Sequence, residues 1–441
     1  MSTENSTAAS ETVNRQWNRR RFLTGVTAGA LTAGVTPLVW GGSSRRSRMA
    51  NDLMDLAIVG VANRAADNLS AVQGENIKYL CDVDSRFLGK AAGTHKQAET
   101  FQDYRKLLDK ADQFDGIVVS TPDHHHFHAS YWAIEQGKHC YCEKPLTHSV
   151  WEARTLAELA AAKGVATQMG TQIHAQPNYH KVVKLIQSGA IGQVSEVHVW
   201  VGKGWGGGER PEQGDPVPEY LAWEQWLGPA PERPFKEGRY HPANWRRWWD
   251  FGGGTLGDMA CHLMDLPFWA LGIKDPKTVA ATGPAPHQET CPLGLQVDYQ
   301  FEKDGAPIKL TWYDGERIPK QLHDIDCWSM GIFFVGSEGI LQADYGRYQI
   351  YPEQRAAEVA APELDSAPTP HHQQWIQACK TGSETGCHFG YSGPLTESVL
   401  LGNVAFRVGK TLKWDAAKMT TGDSTADQLL RREYRDGWKI S

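Results

Sequence analysis

From Asp55 onward, short apolar runs alternate with stretches of helical period, and that alternation leaves few folds open to the chain. Strand candidates are Leu56–Gly60, Ile77–Cys81, Gly116–Ser120, His139–Cys142 and Val165–Met169. Between them lie amphipathic stretches such as SVWEARTLAELAAAKG, which opens on a capping Ser and closes on Gly164. Parallel strands need crossover helices, so the pattern predicts an α/β domain of Rossmann type over residues 49–170.

The first strand ends in IVGVANRAADN. A dinucleotide turn, G-x-G-x-x-G, lets the backbone approach a pyrophosphate at a helix N-terminus. Here Gly60 keeps the first glycine, while Ala62 and Ala65 stand at the other two. Ala62 adds a methyl where the phosphates come close. Gly60, Val61, Ala62, Asn63 and Arg64 are the candidate contacts, although the turn alone also reads as an ordinary strand–helix connection. Asp82, in YLCDVD, follows Gly60 by 22 residues at the end of the second strand. A carboxylate there accepts the ribose hydroxyls and repels a 2′-phosphate, which favours NAD. Arg86 lies close enough to keep NADP open. Asp84 is the better helix cap.

The chain has 441 residues, enough for two domains, and a net charge of −6. The first 48 residues hold seven Arg and two Glu, so the remainder carries 38 bases and 49 acids, a net of −11. A body that acidic is a poor nucleic-acid binder. Eight Cys lack metal-type spacing; Cys140 and Cys142 read as core. No metal site is expected at His124, His125, His126 and His128, because adjacent rings on a turn rarely converge.

The second half reads as an α+β domain with a large, mostly antiparallel sheet over 171–392. Its signs are a helix NYHKVVKLIQSGAIG, a strand VSEVHVWVGKGW, and strands at Thr278–Gly283, Gly294–Glu302, Ile308–Asp314 and Ile332–Gly336. A late helix, GPLTESVLLGNVAFRVGK, and a tail (393–441) pack back on the body. In GGGTLGDMACHLMD (252–265), Asp258 and His262 are four apart and share a helix face. Alcohol oxidation needs a base near neutral pKa, and a carboxylate stabilises the imidazolium formed. Alone, the pair also reads as a helix salt bridge; Asp265 reads as structural. Six tryptophans fall between 205 and 249. Trp245, Arg246, Arg247 and Trp249 suit a sugar pocket as well as a core, whereas Trp223 and Trp226 read as core. Gln172 and His174, after the last strand of the first domain, are cleft candidates.

Two more segments carry a resemblance. STPDHHH (120–126) and EKP (143–145) each follow a strand, and with the first turn they resemble the Gfo/Idh/MocA family of glucose–fructose oxidoreductase and inositol dehydrogenase. The likeness runs from about Leu53 to the C-terminus. It implies that Thr121, Pro122 and His126 lie beside the cofactor's ribose and nicotinamide side, with Glu143 at the cofactor. Lys144 would reach both the cofactor and the reacting hydroxyl. His262 would take the hydroxyl proton, and Asp258 would orient it. The second sheet would also be the face of a homodimer or homotetramer.

NRRRFLT, followed by a weakly apolar stretch to Trp40, resembles a twin-arginine export signal, which makes residues 1–48 signal and linker. Arg45, Arg46 and Arg48 leave both cleavage and retention as an anchor open. Export by that machinery implies a periplasmic enzyme loaded with its cofactor. With no free dinucleotide pool outside, the cofactor would stay bound and be recycled on a sugar or cyclitol. Two alternatives stand beside that reading: a glycosidase working by transient oxidation and elimination, and a non-catalytic binding protein.

Overall fold

A computed structural model describes residues 52–440, so the predicted export signal lies outside the described part. The first sheet holds β1 (Asp55–Val59), β2 (Asn76–Cys81), β3 (Glu99–Phe101), β4 (Gly116–Val119), β5 (His139–Glu143) and β6 (Thr167–Gly170). All pairings are parallel, in the order β3-β2-β1-β4-β5-β6. Crossovers are α1 (Arg64–Val72), α2 (Ser85–Thr94), α3 (Tyr104–Leu108), α4 (Asp123–Glu135) and α5 (Val150–Lys163). Helix α5 starts with a capping box between Ser149 and Glu152 and stops at Gly164, φ 60°. Cys140 and Cys142 are fully buried in the core, as their strand positions predicted.

The strand order reverses between β1 and β4, and a crevice opens there beyond their C-terminal ends. Gly60 turns the chain at φ 86°, and a Cβ on it would overlap the Ser120 carbonyl. Glycine is required here by the neighbouring strand as well as by the turn.

The chain then builds α6 (Pro177–Gln187) and β7 (Val194–Val201). The strand predicted to run on to Trp205 stops at Val201, and residues 202–251 leave the sheet as a strap carrying α7 (Trp223–Leu227). Its aromatic residues form their own core, with Trp223 stacked on Trp226 at 4.7 Å and Val83 packed against it. The strap is bonded to the end of β2: Ser85 N–H donates to Tyr220 O (2.8 Å) and Ala222 N–H to Val83 O (2.9 Å).

Helices α8 (Gly254–Leu263) and α9 (Asp265–Leu271) follow, then β8 (Thr278–Thr282), β9 (Gln296–Lys303) and β10 (Ala306–Asp314). A hairpin of β11 (Gln321–Leu322) and β12 (Ile325–Asp326) precedes β13 (Met330–Gly336), β14 (Ile340–Ala343) and β15 (Tyr348–Tyr351). The second sheet runs β15-β14-β13-β7-β10-β9-β8-β16, where β16 is Leu412–Lys413; only β7 and β10 pair in parallel. Val197 and Val199 face the core, while Glu196 and His198 alternate to the outward face.

Past α10 (Glu353–Glu358), the chain returns to the first sheet earlier than residue 393. On α11 (His371–Thr381), Trp375 is fully buried among Leu56, Ile58 and Val118. Helix α12 (Phe389–Val408) spans the predicted division at 392/393 and packs on both α5 and α8. Its buried face also meets β8 and β6, so no boundary falls inside it. A last helix, α13 (Ser424–Leu429), closes the described chain. Among the described residues, no helix is long and apolar enough to cross a membrane.

Candidate active site

The crevice and the strap enclose a cavity of about 550 Å³. Gly60, Ala62, Asn63, Arg64 and Asp82 line one end, and Thr121, Pro122, Glu143, Lys144 and Gln172 line its middle. Trp245, Arg246, Asp258 and His262 close it from the second domain.

At the turn, the left-handed conformation falls on Asn63 (φ 55°) and not on Ala62. Ala62 therefore sits without backbone strain. Helix α1 starts with no side-chain cap, and the Ala65 and Ala66 amides close back on Ala62 O (3.1 Å) and Asn63 O (3.0 Å). Asp82 accepts from Val61 N–H and Asp84 N–H, both at 3.0 Å. Burial pushes its carboxyl up, against those two bonds. Val61 contributes only that amide, since its side chain is core. Asp84 caps α2 as expected, and Arg86 is committed to it (2.7 Å) and stacked over Tyr220 at 3.4 Å. The Thr121 hydroxyl is buried without a partner. An uncapped helix start after β1, a carboxylate at the end of β2 and an unpaired hydroxyl at the end of β4, all lining one cavity, fit a dinucleotide.

Glu143 is fixed by Asn68 (2.9 Å) and Gln172 (2.7 Å). Lys144 Nζ donates to Asp258 Oδ1 (2.8 Å) and Asp258 O (2.6 Å). Burial alone would lower the ammonium, but Asp258 and Glu143 outweigh it and hold the group above its ordinary value. Asp258 also accepts from Arg246 Nε (3.0 Å) and Trp205 Nε1 (2.9 Å). Burial would raise its carboxyl, yet Lys144 and Arg246 keep it far below the usual range. None of these bonds reaches His262. The shared helix face brings the two side chains near, but the carboxylate is claimed by three donors elsewhere. His262 Nδ1 is buried and unpartnered, and burial, then the Lys144 charge, hold the imidazole well below its ordinary pKa.

Besides Val61, four predicted site residues do not reach the cavity. His126 sits between the two motif turns from behind, its ring nitrogens 2.7 Å from Pro145 O and 2.9 Å from Thr121 O, with one N–H to donate to one of them. His174 faces Asp265 (2.9 Å) and stacks on Trp269 at 4.0 Å. Arg247 bonds Asn244, and Trp249 donates to His287 O. The 3-10 turn Asn244–Arg247 rotates each residue by about a third of a turn, so Trp245 and Arg246 enter while Arg247 leaves.

The sequence reading missed Asp123, Lys203, Trp205 and Tyr345, all of which line the cavity. Asp123 is 4% exposed, and burial pushes its carboxyl up to about 7, against Arg246 and Lys144. The Tyr345 hydroxyl is buried with no partner, and its ring lies 6.4 Å from that of His262. The DHHH segment signalled Asp123; nothing in the sequence signalled Tyr345, on the turn after β14. His124, His125 and His128 lie on α4 with rings contacting the carbonyls of Trp226 and Trp438.

Comparison with known proteins places this geometry. Residues 54–171 match the model described as "Oxidoreductase family, NAD-binding Rossmann fold". Residues 176–440 match "Oxidoreductase family, C-terminal alpha/beta domain". Levoglucosan dehydrogenase of Pseudarthrobacter phenanthrenivorans is 23% identical over 196 residues, 44% of this chain and 42% of that protein. Inositol 2-dehydrogenase of Rubrobacter xylanophilus is 30% identical over 135 residues, 30% and 38% of the two chains. The chain spans about a quarter to a half of the length of the curated relatives it matches. The WlbA dehydrogenase from Bordetella pertussis, solved with NADH and UDP-GlcNAcA, shares the fold at a TM-score of 0.61 and 15% identity, covering 83% of this chain and 99% of that one. GenD2 from gentamicin A biosynthesis, solved with NAD, shares it at 0.59 and 18%, covering 85% and 100%. With an NAD-binding Rossmann domain and its companion α/β domain both matched, the chain belongs to the Gfo/Idh/MocA oxidoreductase family.

Proposed function

We propose that this protein is an NAD-dependent oxidoreductase that acts on a CH–OH group of a sugar, sugar derivative or cyclitol. One observation carries the reading: the dinucleotide turn and the Lys144–Asp258–His262 group line a single cavity. The names of the relatives, levoglucosan and inositol dehydrogenases, support the substrate class.

When bound, NAD supplies the hydride acceptor. Asp258 pins Lys144, whose ammonium donates to the reacting oxygen and favours loss of its proton. His262, kept neutral, accepts that proton at an imidazole nitrogen. Trp205, Trp245 and Tyr345 give the ring faces and the hydroxyl that a sugar needs. The strap roofs the crevice, which supports a cofactor retained through turnover and recycled by a second carbonyl or by the product. Export folded through the twin-arginine pathway is part of this proposal, as is pairing of chains through the second sheet. NADP is disfavoured by Asp82 and by the commitment of Arg86 to Asp84.

The test is to purify the full chain without added cofactor, denature it, and quantify the dinucleotide released. About one NAD(H) per chain, with absorbance change at 340 nm on adding myo-inositol, glucose, xylose or levoglucosan, is expected. No dinucleotide and no binding of added NAD would sink the reading. A second reading, redox-neutral glycoside cleavage, has one observation in its favour: Asp123 adds a second proton-transfer group to the cavity at about 7. Release of a free sugar with no net oxidation would select it.

A further inference from the structure

Away from the cavity, the outward face of the second sheet gathers two imidazoles and a carboxylate. His198 Nε2 lies 3.2 Å from Glu196 Oε1, and His323 Nε2 lies 3.5 Å from Glu196 Oε2. One ligand atom from each residue falls within 4.8 Å of the others. Around a tetrahedral ion with bonds of ~2.0–2.1 Å, ligand atoms stand ~3.3 Å apart. The two contacts, one to each oxygen of Glu196, are close to that spacing.

The state of His198 is the second observation. It is 5% exposed, and its Nε2 makes no hydrogen bond despite the nearby carboxylate. The nitrogen is close to the oxygen without being aimed at it, as two ligands of a common centre are. Its other ring nitrogen is 3.1 Å from the Tyr313 hydroxyl, the kind of outer partner that orients a ligating imidazole. His323 reaches the site from the two-residue turn between β11 and β12, where it and Asp324 take φ of 49° and 62°. Turns of that kind prefer Asn-Gly, so a His there is chosen for its side chain.

We propose that Glu196, His198 and His323 bind a zinc-class divalent cation that pins the β11–β12 hairpin to the second sheet. The ligand set is two imidazoles and one carboxylate, with the fourth position left to water. Lys309 sits 3.9 Å from Glu196 and 3.8 Å from Asp298. It is 43% exposed, so it keeps Asp298 as partner when an ion takes Glu196. None of the three ligands lines the catalytic cavity, so the ion's role is structural.

The test strips the full chain with a chelator, equilibrates it with micromolar zinc chloride, desalts it, and counts metal by atomic emission. About one zinc per chain is expected, with a zinc-dependent rise in thermal midpoint. His323→Asn keeps the left-handed turn and should lose both. Tyr313→Phe leaves the ligands in place and should weaken binding ten- to a hundred-fold. Equal zinc in wild type and His323→Asn overturns the proposal. So does binding that appears only at millimolar zinc, which is an adventitious ion only.

Discussion

At the scale of single residues, Asp258 governs the site by what it is bonded to. Lys144, Arg246 and Trp205 converge on one carboxylate, and the helix spacing that links Asp258 to His262 is not used for a hydrogen bond. Asp258→Asn removes the charge that holds two cations in place. We expect kcat/KM to fall by ~100-fold or more while the dinucleotide content of the purified chain stays unchanged. Equal loss of both would make Asp258 a folding residue. His262 titrates below its ordinary value, so it stays an effective acceptor below pH 6.5. The acid limb of kcat/KM should therefore fall below pH 6.5, and a limb above 6.5 would assign the base elsewhere. The motif residues were legible because each motif sits at a strand end, where the chain direction fixes which way it faces. His174 was not legible: two residues past Gln172, it is turned by a 3-10 helix toward Asp265. Tyr345 is separated from His262 by much of the second sheet, and only tertiary folding joins them.

At the scale of elements, the strap decides how the cavity closes. Apolar alternation announced the six-stranded sheet apart from β3, which has three half-exposed or exposed residues and no apolar run. It could not announce the strap, whose tryptophans bury against one another and leave no helical or strand period. Trp226 is the joint: it stacks on Trp223, lines the cavity, and its carbonyl takes contacts from His124 and His125. Trp226→Ala should cost about 3–5 kcal/mol. Release of bound dinucleotide from the diluted protein should accelerate at least ~10-fold by the same loosening, since that factor needs only about 1.4 kcal/mol. Unchanged release at full loss of stability would separate the strap from retention.

Across the whole molecule, burial of histidine sets the response to acid. His125 and His371 are pushed down to about 3 by desolvation, and His124, His128 and His148 also lie well below the ordinary value. As pH falls below about 6.5 the unfolded chain takes protons that the native chain refuses, and stability is lost. Asp123 and Asp314, raised to about 7, act the other way, gaining stability as pH falls toward 3.8. With His126, His262 and His372 also depressed, these histidines outnumber the carboxyls raised by burial and leave a net loss. The urea midpoint should drop steadily from pH 7 to pH 5, and a flat or rising midpoint would show that the buried rings are solvated.

The strap also orders events in time. All six strands of the dinucleotide crevice have been translated by Gly170, whereas the strap ends near residue 251. At ~5–20 residues per second, the ribosome delivers the roof roughly 4–16 s after the floor. A nascent chain thus passes through a stage in which its crevice is open on every side that the strap later covers. If the chain retains its dinucleotide as proposed, this stage is the one at which the crevice gives a ligand its widest access.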